Sequence, residues 1–323
     1  MSQKNIGGQA VMEGVMLRDA NSGMVAVANR VSDGSIRITK KPFVSVTKKY
    51  KAFSLPLIRG VVSFVESLIV GMKTLLDSAE VVGGDVAQEY QPSKFEKFLA
   101  EKLKLKVEDV AVAVGAVLGI GLALLLFTFL PTAVAGLFKG FVKAAWVLSL
   151  VEGVVKLGIF VAYILIVSLQ KDVKRVFQYH GAEHKTINCY EADEEVTVEN
   201  VRRYSRIHMR CGTSFMFYVM VVSIVLFSFI TWSNVVVRVL LKVLLMPVVA
   251  GISYEIIRFS GKSKNKVIRS LAVPGTLLQK ITTAEPDDSQ IEVGIASLMA
   301  LIGKKDDEAD CQKENNEDTS AEE

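Results

Sequence analysis

Residues 110–130 read VAVAVGAVLGIGLALLLFTFL, a run from Val110 to Leu130 without one charged side chain. A helix needs roughly 20 consecutive apolar residues to cross the hydrocarbon core of a bilayer, so this run predicts a membrane span. Glu108 and Asp109 bound it on one side and Pro131 on the other, and the span is expected to end at that proline. Working outward, three more stretches qualify. One runs from about Ala144 to Leu169 and carries Glu152 and Lys156 in its first half, a pair at i, i+4 and of opposite sign. Another, Gly212 to Asn234, is uncharged. The last runs from about Val235 to Phe259 around an uncharged centre, Val243 to Tyr254, that contains Pro247; Lys242 and Arg258 can snorkel to the two interfaces, which makes it a kinked span. The chain is half apolar yet 22% charged, with a mean hydropathy of +0.36, so the two kinds of residue are segregated along it. The expected fold is mainly α, a polytopic helical membrane protein with four transmembrane helices.

Basic residues cluster before the first span, between Lys171 and Arg210, and from Arg258 to Arg269, while the turns around Lys139 and Lys143 and around Arg238 and Lys242 are sparsely charged. The positive-inside rule then places both termini in the cytoplasm, in a multi-pass protein of the cell membrane whose first partner is the lipid bilayer. The first residues are polar and glycine-rich, which predicts no signal peptide. Three cysteines, Cys189, Cys211 and Cys311, are an odd number on the expected cytoplasmic side and make a disulfide framework unexpected. A net charge of +4 with no concentrated arginine and aromatic patch argues against nucleic acid as a partner.

Five segments follow from these patterns. Residues 1–52 are read as a cytoplasmic β unit, with strands at Met24 to Asn29 and Ser35 to Lys41 around an Asp33-Gly34 turn. Residues 56–108 are amphipathic helices. Within them Arg59, Glu66, Lys73, Asp77 and Glu80 fall on one narrow polar stripe, which suits a helix half buried in headgroups or, less simply, one turned towards a cytoplasmic site. Residues 110–259 hold the spans, with Gly115 and Gly119 as a small-xxx-small pair for close packing, and a cytoplasmic loop, 170–211. Residues 260–303 form a C-terminal segment, whose helix opens at Pro286-Asp287-Asp288, runs to about Ile302 and turns Ile291, Ile295, Leu298 and Ile302 to one side. Residues 304–323 are an acidic tail expected to be disordered.

All three histidines lie between His180 and His208. His180-Gly181-Ala182-Glu183-His184 reads H-x-x-E-H, which on a helix sets both imidazoles on one face, one turn apart, with a carboxylate beside them. The second span is expected to run on through Lys171 as one helix, and if it persists to Glu191, that residue shares the face and becomes a third ligand. His208 and Cys211, an H-x-x-C pair at the mouth of the next span, are the competing choice. Imidazole and thiolate favour zinc among divalent metals, while two histidines with a glutamate also suit iron or manganese. Glu183 then stands as the base that takes a proton from water, and hydrolysis is the reaction class this pattern favours. The plain alternative is a solvated helix face on which Glu183 pairs with Lys185 or Arg210.

Four segments, Gly7 to Arg18, Tyr179 to Thr186, Arg210 to Phe215, and Thr282-Thr283 with Glu285 to Asp288, together resemble the bacterial YqhQ family of membrane proteins. That family is described as a predicted metal-dependent enzyme of unknown function. The resemblance implies a metal role for His180, Glu183, His184, His208 and Cys211. One departure is His208-Met209-Arg210-Cys211, where the family reads His-Pro-Arg-Cys, which loosens the turn presenting His208. It also suggests convergence on one cytoplasmic site, with Gln9, Glu13 and Arg18 from the N-terminal unit and Asp287 and Asp288 from the C-terminal helix. The alternative is that Gly7, Gly8 and Gly14 serve turns and the acids cap a helix. Three functions are therefore expected to compete. They are a metal-dependent hydrolase acting on an unknown substrate at the inner membrane surface, a non-catalytic assembly or scaffolding factor with a protein partner there, and a small transporter using Glu152 and Lys156.

Overall fold

The computed structural model describes residues 6–83, 93–103, 107–230, 235–262, 265 and 273–303. The acidic tail falls outside the described residues. The N-terminal unit is a four-stranded antiparallel meander of β1 (Ile6–Val11), β2 (Gly14–Asp19), β3 (Met24–Arg30) and β4 (Ile36–Pro42), in the order β1-β2-β3-β4. The first two strands were not expected. Their glycines are strand residues rather than turn residues, and the tight turn falls on Met12-Glu13, with Val11 opposite Gly14 and Glu13 at φ 47°. A Cβ on Gly14 would come within 2.4 Å of the Ala28 carbonyl oxygen, so the close approach of β3 demands glycine there.

A short helix α1 (Val46–Lys49) leads to α2 (Ile58–Gly83), then α3 (Lys94–Leu103) and α4 (Val107–Leu124). The first apolar rod does not stop at Pro131. A wide π turn, Leu125–Phe129, intervenes and the helix resumes as α5 (Leu130–Leu137), so the apolar helix runs from Ala113 to Gly140. Proline lacks an N–H and its ring crowds the carbonyl four residues back, and the π turn falls where that bond is lost. Next come α6 (Ala145–Ser168) and α7 (Lys171–Glu191). These were expected as one helix, but Gln170 is extended at φ −71°, ψ 135°, and that break turns α7 away from α6 to pack on the sheet. After α8 (Val198–Arg203) come α9 (Gly212–Ser228), α10 (Val235–Lys262), α11 (Val273–Thr282) and α12 (Asp288–Ile302).

Among the described residues, three helices are long and apolar enough to cross a membrane: Ala113–Gly140, Trp146–Ser168 and Leu240–Ser260. The expected span at Gly212 to Asn234 is a shorter apolar helix of 17 residues, ending at Ser228. Residues 231–234 lie outside the described residues. The ion pair inside these helices also differs from expectation. Glu152 pairs with Lys242 of α10 and accepts a hydrogen bond from the Thr132 hydroxyl at 3.0 Å, while Lys156 sits over the Phe227 ring at 5.7 Å. Lys242 is 8% exposed and turns inward rather than snorkelling. The i, i+4 spacing on one helix matters less here than the carboxylate's demand for a buried cation, which a facing helix supplies. Gly115 and Gly119 meet nothing within 4 Å among the described residues.

Period-2 alternation gives the sheet two buried faces. Val15, Leu17, Ala26 and Ala28 pack with Tyr179 and Ile187 of α7 and with Ile291 and Leu298 of α12. On the other face Val11, Met16 and Val25 meet Val70 and Leu75 of α2. The charges of α2 fasten it in place: Asp77 pairs with Lys41 of β4 at 2.9 Å, Glu66 accepts from the Ser45 hydroxyl at 2.8 Å, and Arg59 pairs with Glu255 of α10 at 2.5 Å. The stripe therefore joins the sheet to the last apolar helix.

Candidate metal centre

α7 carries the H-x-x-E-H run through the middle of the molecule, between β1, β2 and α12. A helix can lie this close because Gly181 and Gly294 lack side chains. A Cβ on Gly181 would stand 2.1 Å from the Ala284 carbonyl oxygen, and one on Gly294 2.7 Å from the Thr186 hydroxyl. His180 and His184 stack edge to face, ring centroids 4.4 Å apart, as the i, i+4 spacing requires.

Their tautomers follow from their partners. Nδ1 of His184 lies 2.7 Å from the Arg206 carbonyl oxygen, and Nδ1 of His180 lies 2.9 Å from that of Thr282. A carbonyl can only accept, so both Nδ1 atoms carry the proton and both Nε2 atoms present a lone pair. The Nε2 of His180 faces the Cys211 sulfur at 3.2 Å. The Nε2 of His184 is fully buried with no hydrogen-bond partner among the described residues. Ligand atoms of His180, His184 and Cys211 lie within 4.8 Å of one another. Backbone carbonyls holding Nδ1–H while Nε2 stays open is how metal-ligating histidines are oriented. The donor set and the orphaned imidazole nitrogen fit a divalent metal ion.

Cys211 is the N-cap of α9, its sulfur accepting from the Thr213 N–H at 3.4 Å. Burial raises its thiol pKa, while hydrogen bonds from Thr213 and Ser214 act the other way. Burial also depresses His184 well below its ordinary value, helped by the neighbouring His180, which keeps the imidazole in its ligating neutral form. Glu183 is 3% exposed. Burial pushes its carboxyl up to about 8, with His180 opposing and Cys211 reinforcing the rise, and its Oε2 has no partner. It pairs with neither Lys185, which binds Glu285, nor Arg210, which binds Glu191. Above Glu183 lies Gly8 of β1, where a Cβ would stand 2.7 Å from its Oε1.

The other expected residues fall into place around this cluster without joining it. Glu191 ends α7 against Arg210, with the His208 Nε2 at 3.5 Å. The His208 ring is 5.7 Å from that of His184, and burial lowers its pKa to about 4. Its turn is firm without proline, because the Gln279 side chain accepts from the His208 N–H at 2.9 Å and donates to its carbonyl at 2.7 Å. Glu13 pairs with Arg175 and accepts from the Tyr179 hydroxyl at 3.1 Å. Gln9 lies over Gly71 of α2, and Arg18 over the Phe43 ring at 5.2 Å. Asp287 caps α12 in a reciprocal box with Gln290, and Asp288 pairs with Arg202. Thus the motif segments converge, and the acids at 287 and 288 hold structure rather than reach the cluster. Sequence reasoning gave Gly8 a turn rather than a strand over Glu183, and missed Arg206 and Gln279. Arg206 acts through a carbonyl that every residue owns, which leaves no side-chain signal.

Residues 55–304 match the family described as "Protein of unknown function (DUF1385)". The chain is 36% identical over 299 residues to "Uncharacterized protein YqhQ" of Bacillus subtilis (strain 168), covering 92% of each. No solved structure matches.

Proposed function

The chain belongs to the DUF1385 family of proteins of unknown function, and from that premise we propose a membrane-embedded protein that holds one divalent metal, zinc by donor chemistry, at His180, His184 and Cys211. The observation that carries this reading is the pair of Nδ1–H-to-carbonyl bonds that leave two Nε2 lone pairs converging with a thiol. His180, His184 and Cys211 would hold the ion with room for one further ligand, and the ion would supply Lewis acidity there. Glu183, raised towards neutrality and free at Oε2, is placed to hold and release a proton beside it. The reaction class is hydrolysis, at the cytoplasmic surface of a bacterial cell membrane. Four spans with both termini inside accord with the basic flanks, α9 being near the lower length limit for crossing.

Elemental analysis of the detergent-purified protein tests it. About one zinc per chain is expected, falling to background in His184→Ala and kept in Glu183→Gln. Folded wild-type protein without a stoichiometric transition metal overturns the reading. A second reading, a structural metal in a non-catalytic assembly factor, is favoured by the closure of β1 over Glu183 through Gly8. It predicts that chelation lowers the Tm sharply and that Glu183→Gln leaves function intact.

A further inference from the structure

We propose that residues 44–71 form a re-entrant hairpin that dips into the membrane leaflet on the side of the β-sheet and rises again as α2 to the sheet. The inference rests on reading Leu240–Ser260 as a membrane span. Its first support is depth. The start of α2 is locked on α10, where a Cβ on Gly60 would stand 2.8 Å from Tyr254 Cβ, and one on Gly251 would stand 2.8 Å from the Leu57 carbonyl oxygen. Gly251 lies nine residues before Ser260, the end of that apolar helix nearest the sheet. Nine residues are about 13 Å of helix, and one leaflet of hydrocarbon is about 15 Å, half of the core. Eleven residues further along α2, Gly71 is back under Gln9 of β1.

Composition agrees with that path. Between Lys51 and Arg59 the chain reads AFSLPLI, with no charge, and Phe53, Leu55, Leu57 and Ile58 are 40–53% exposed. Just before this tip Lys48, Lys49 and Lys51 are exposed, a basic cluster suited to anionic headgroups. A non-helical backbone survives in hydrocarbon only when its polar groups are satisfied, and at the bend of the tip partners are in place. Leu57, bent at φ 66°, donates its N–H to the Glu255 carboxylate. The Leu55 carbonyl accepts from the Arg59 N–H at 2.9 Å, the Pro56 carbonyl from the Ile58 N–H at 2.9 Å, and proline has no N–H to satisfy. Acyl chains are the occupant this surface fits.

The test is spin labelling of the full chain in phosphatidylcholine and phosphatidylglycerol vesicles, in a Cys311→Ser background that leaves only the buried Cys189 and Cys211. Labels go at Leu55→Cys, at Ile69→Cys on the rising limb, at Ser35→Cys in the β3–β4 turn and at Leu244→Cys on the exposed side of α10. The expected result at Leu55 is access to oxygen, with collisions by a water-soluble nickel chelate several-fold fewer than at Ser35, and an intermediate value at Ile69. Chelate access at Leu55 equal to that at Ser35 overturns the hairpin, as does exclusion of both reagents, which would mean protein covers the tip. If Leu244 itself meets the chelate, the span reading fails instead. Where Leu55→Cys does not fold, Ile69→Cys carries the same decision.

Discussion

Two buried polar clusters in this chain solve the same problem in opposite ways. Between the apolar helices, Glu152 and Lys242 are charged and answer each other, with the Thr132 hydroxyl and the Phe227 ring completing their surroundings. Beside the sheet, His180 and His184 are each anchored through Nδ1 to a backbone carbonyl and group their free ring nitrogens with Cys211. The first cluster is closed on itself and needs nothing further. The second leaves His184 Nε2 and Glu183 Oε2 buried without partners, a state that costs free energy unless something is bound. Burial alone therefore does not distinguish the two clusters; the unpartnered polar atoms do.

The comparison can be broken first at the charged pair. Glu152→Leu should strand the Lys242 ammonium and destabilise the protein by about 3–5 kcal/mol, read as a lowered detergent unfolding midpoint, whereas Glu152→Leu with Lys242→Leu should recover most of the loss. A double variant no better than the single would show that the two groups do not answer each other. The neutral cluster is sharpened by pH. The folded pKa of His208, near 4, is below its unfolded value of about 6.5, so the folded state binds fewer protons in that window. Stability from this group is full above about 6.5 and is lost as pH falls towards 4, up to about 3 kcal/mol. His208→Gln should flatten that part of the unfolding curve, and an unchanged slope would refute a buried neutral imidazole. The smallest effect is expected at Asp287. Asp287→Ala removes the α12 cap at a cost of about 1 kcal/mol and should leave metal content at the wild-type level, whereas loss of metal would place this acid at the cluster.

Legibility in the sequence varied with the range of the interaction. Charge-free runs such as Val110 to Leu130 and the 3.6-residue period of α12 are local properties; the first forms a membrane-length helix, though it runs on past Pro131 to Gly140, and the second forms where its residues said it would. β1 and β2 were illegible because Gly7-Gly8 breaks the alternation and β2 is buried on both faces, so that neither strand shows a polar side. The break at Gln170 was hidden as well, since nothing in its residue type demands extended backbone.

What the sequence alone determined is the chemistry that one helix turn or one apolar run can encode: membrane-length helices, two imidazoles on a common face, a carboxylate beside them. The tertiary structure decided which partner each group meets. It chose Cys211 to stand with the histidines, Lys242 for Glu152, and Gly8 as the cover of Glu183. Those choices join residues from 27 to 175 positions apart, and only packing brings such groups together, because the pattern of a single segment carries no information about what will face it.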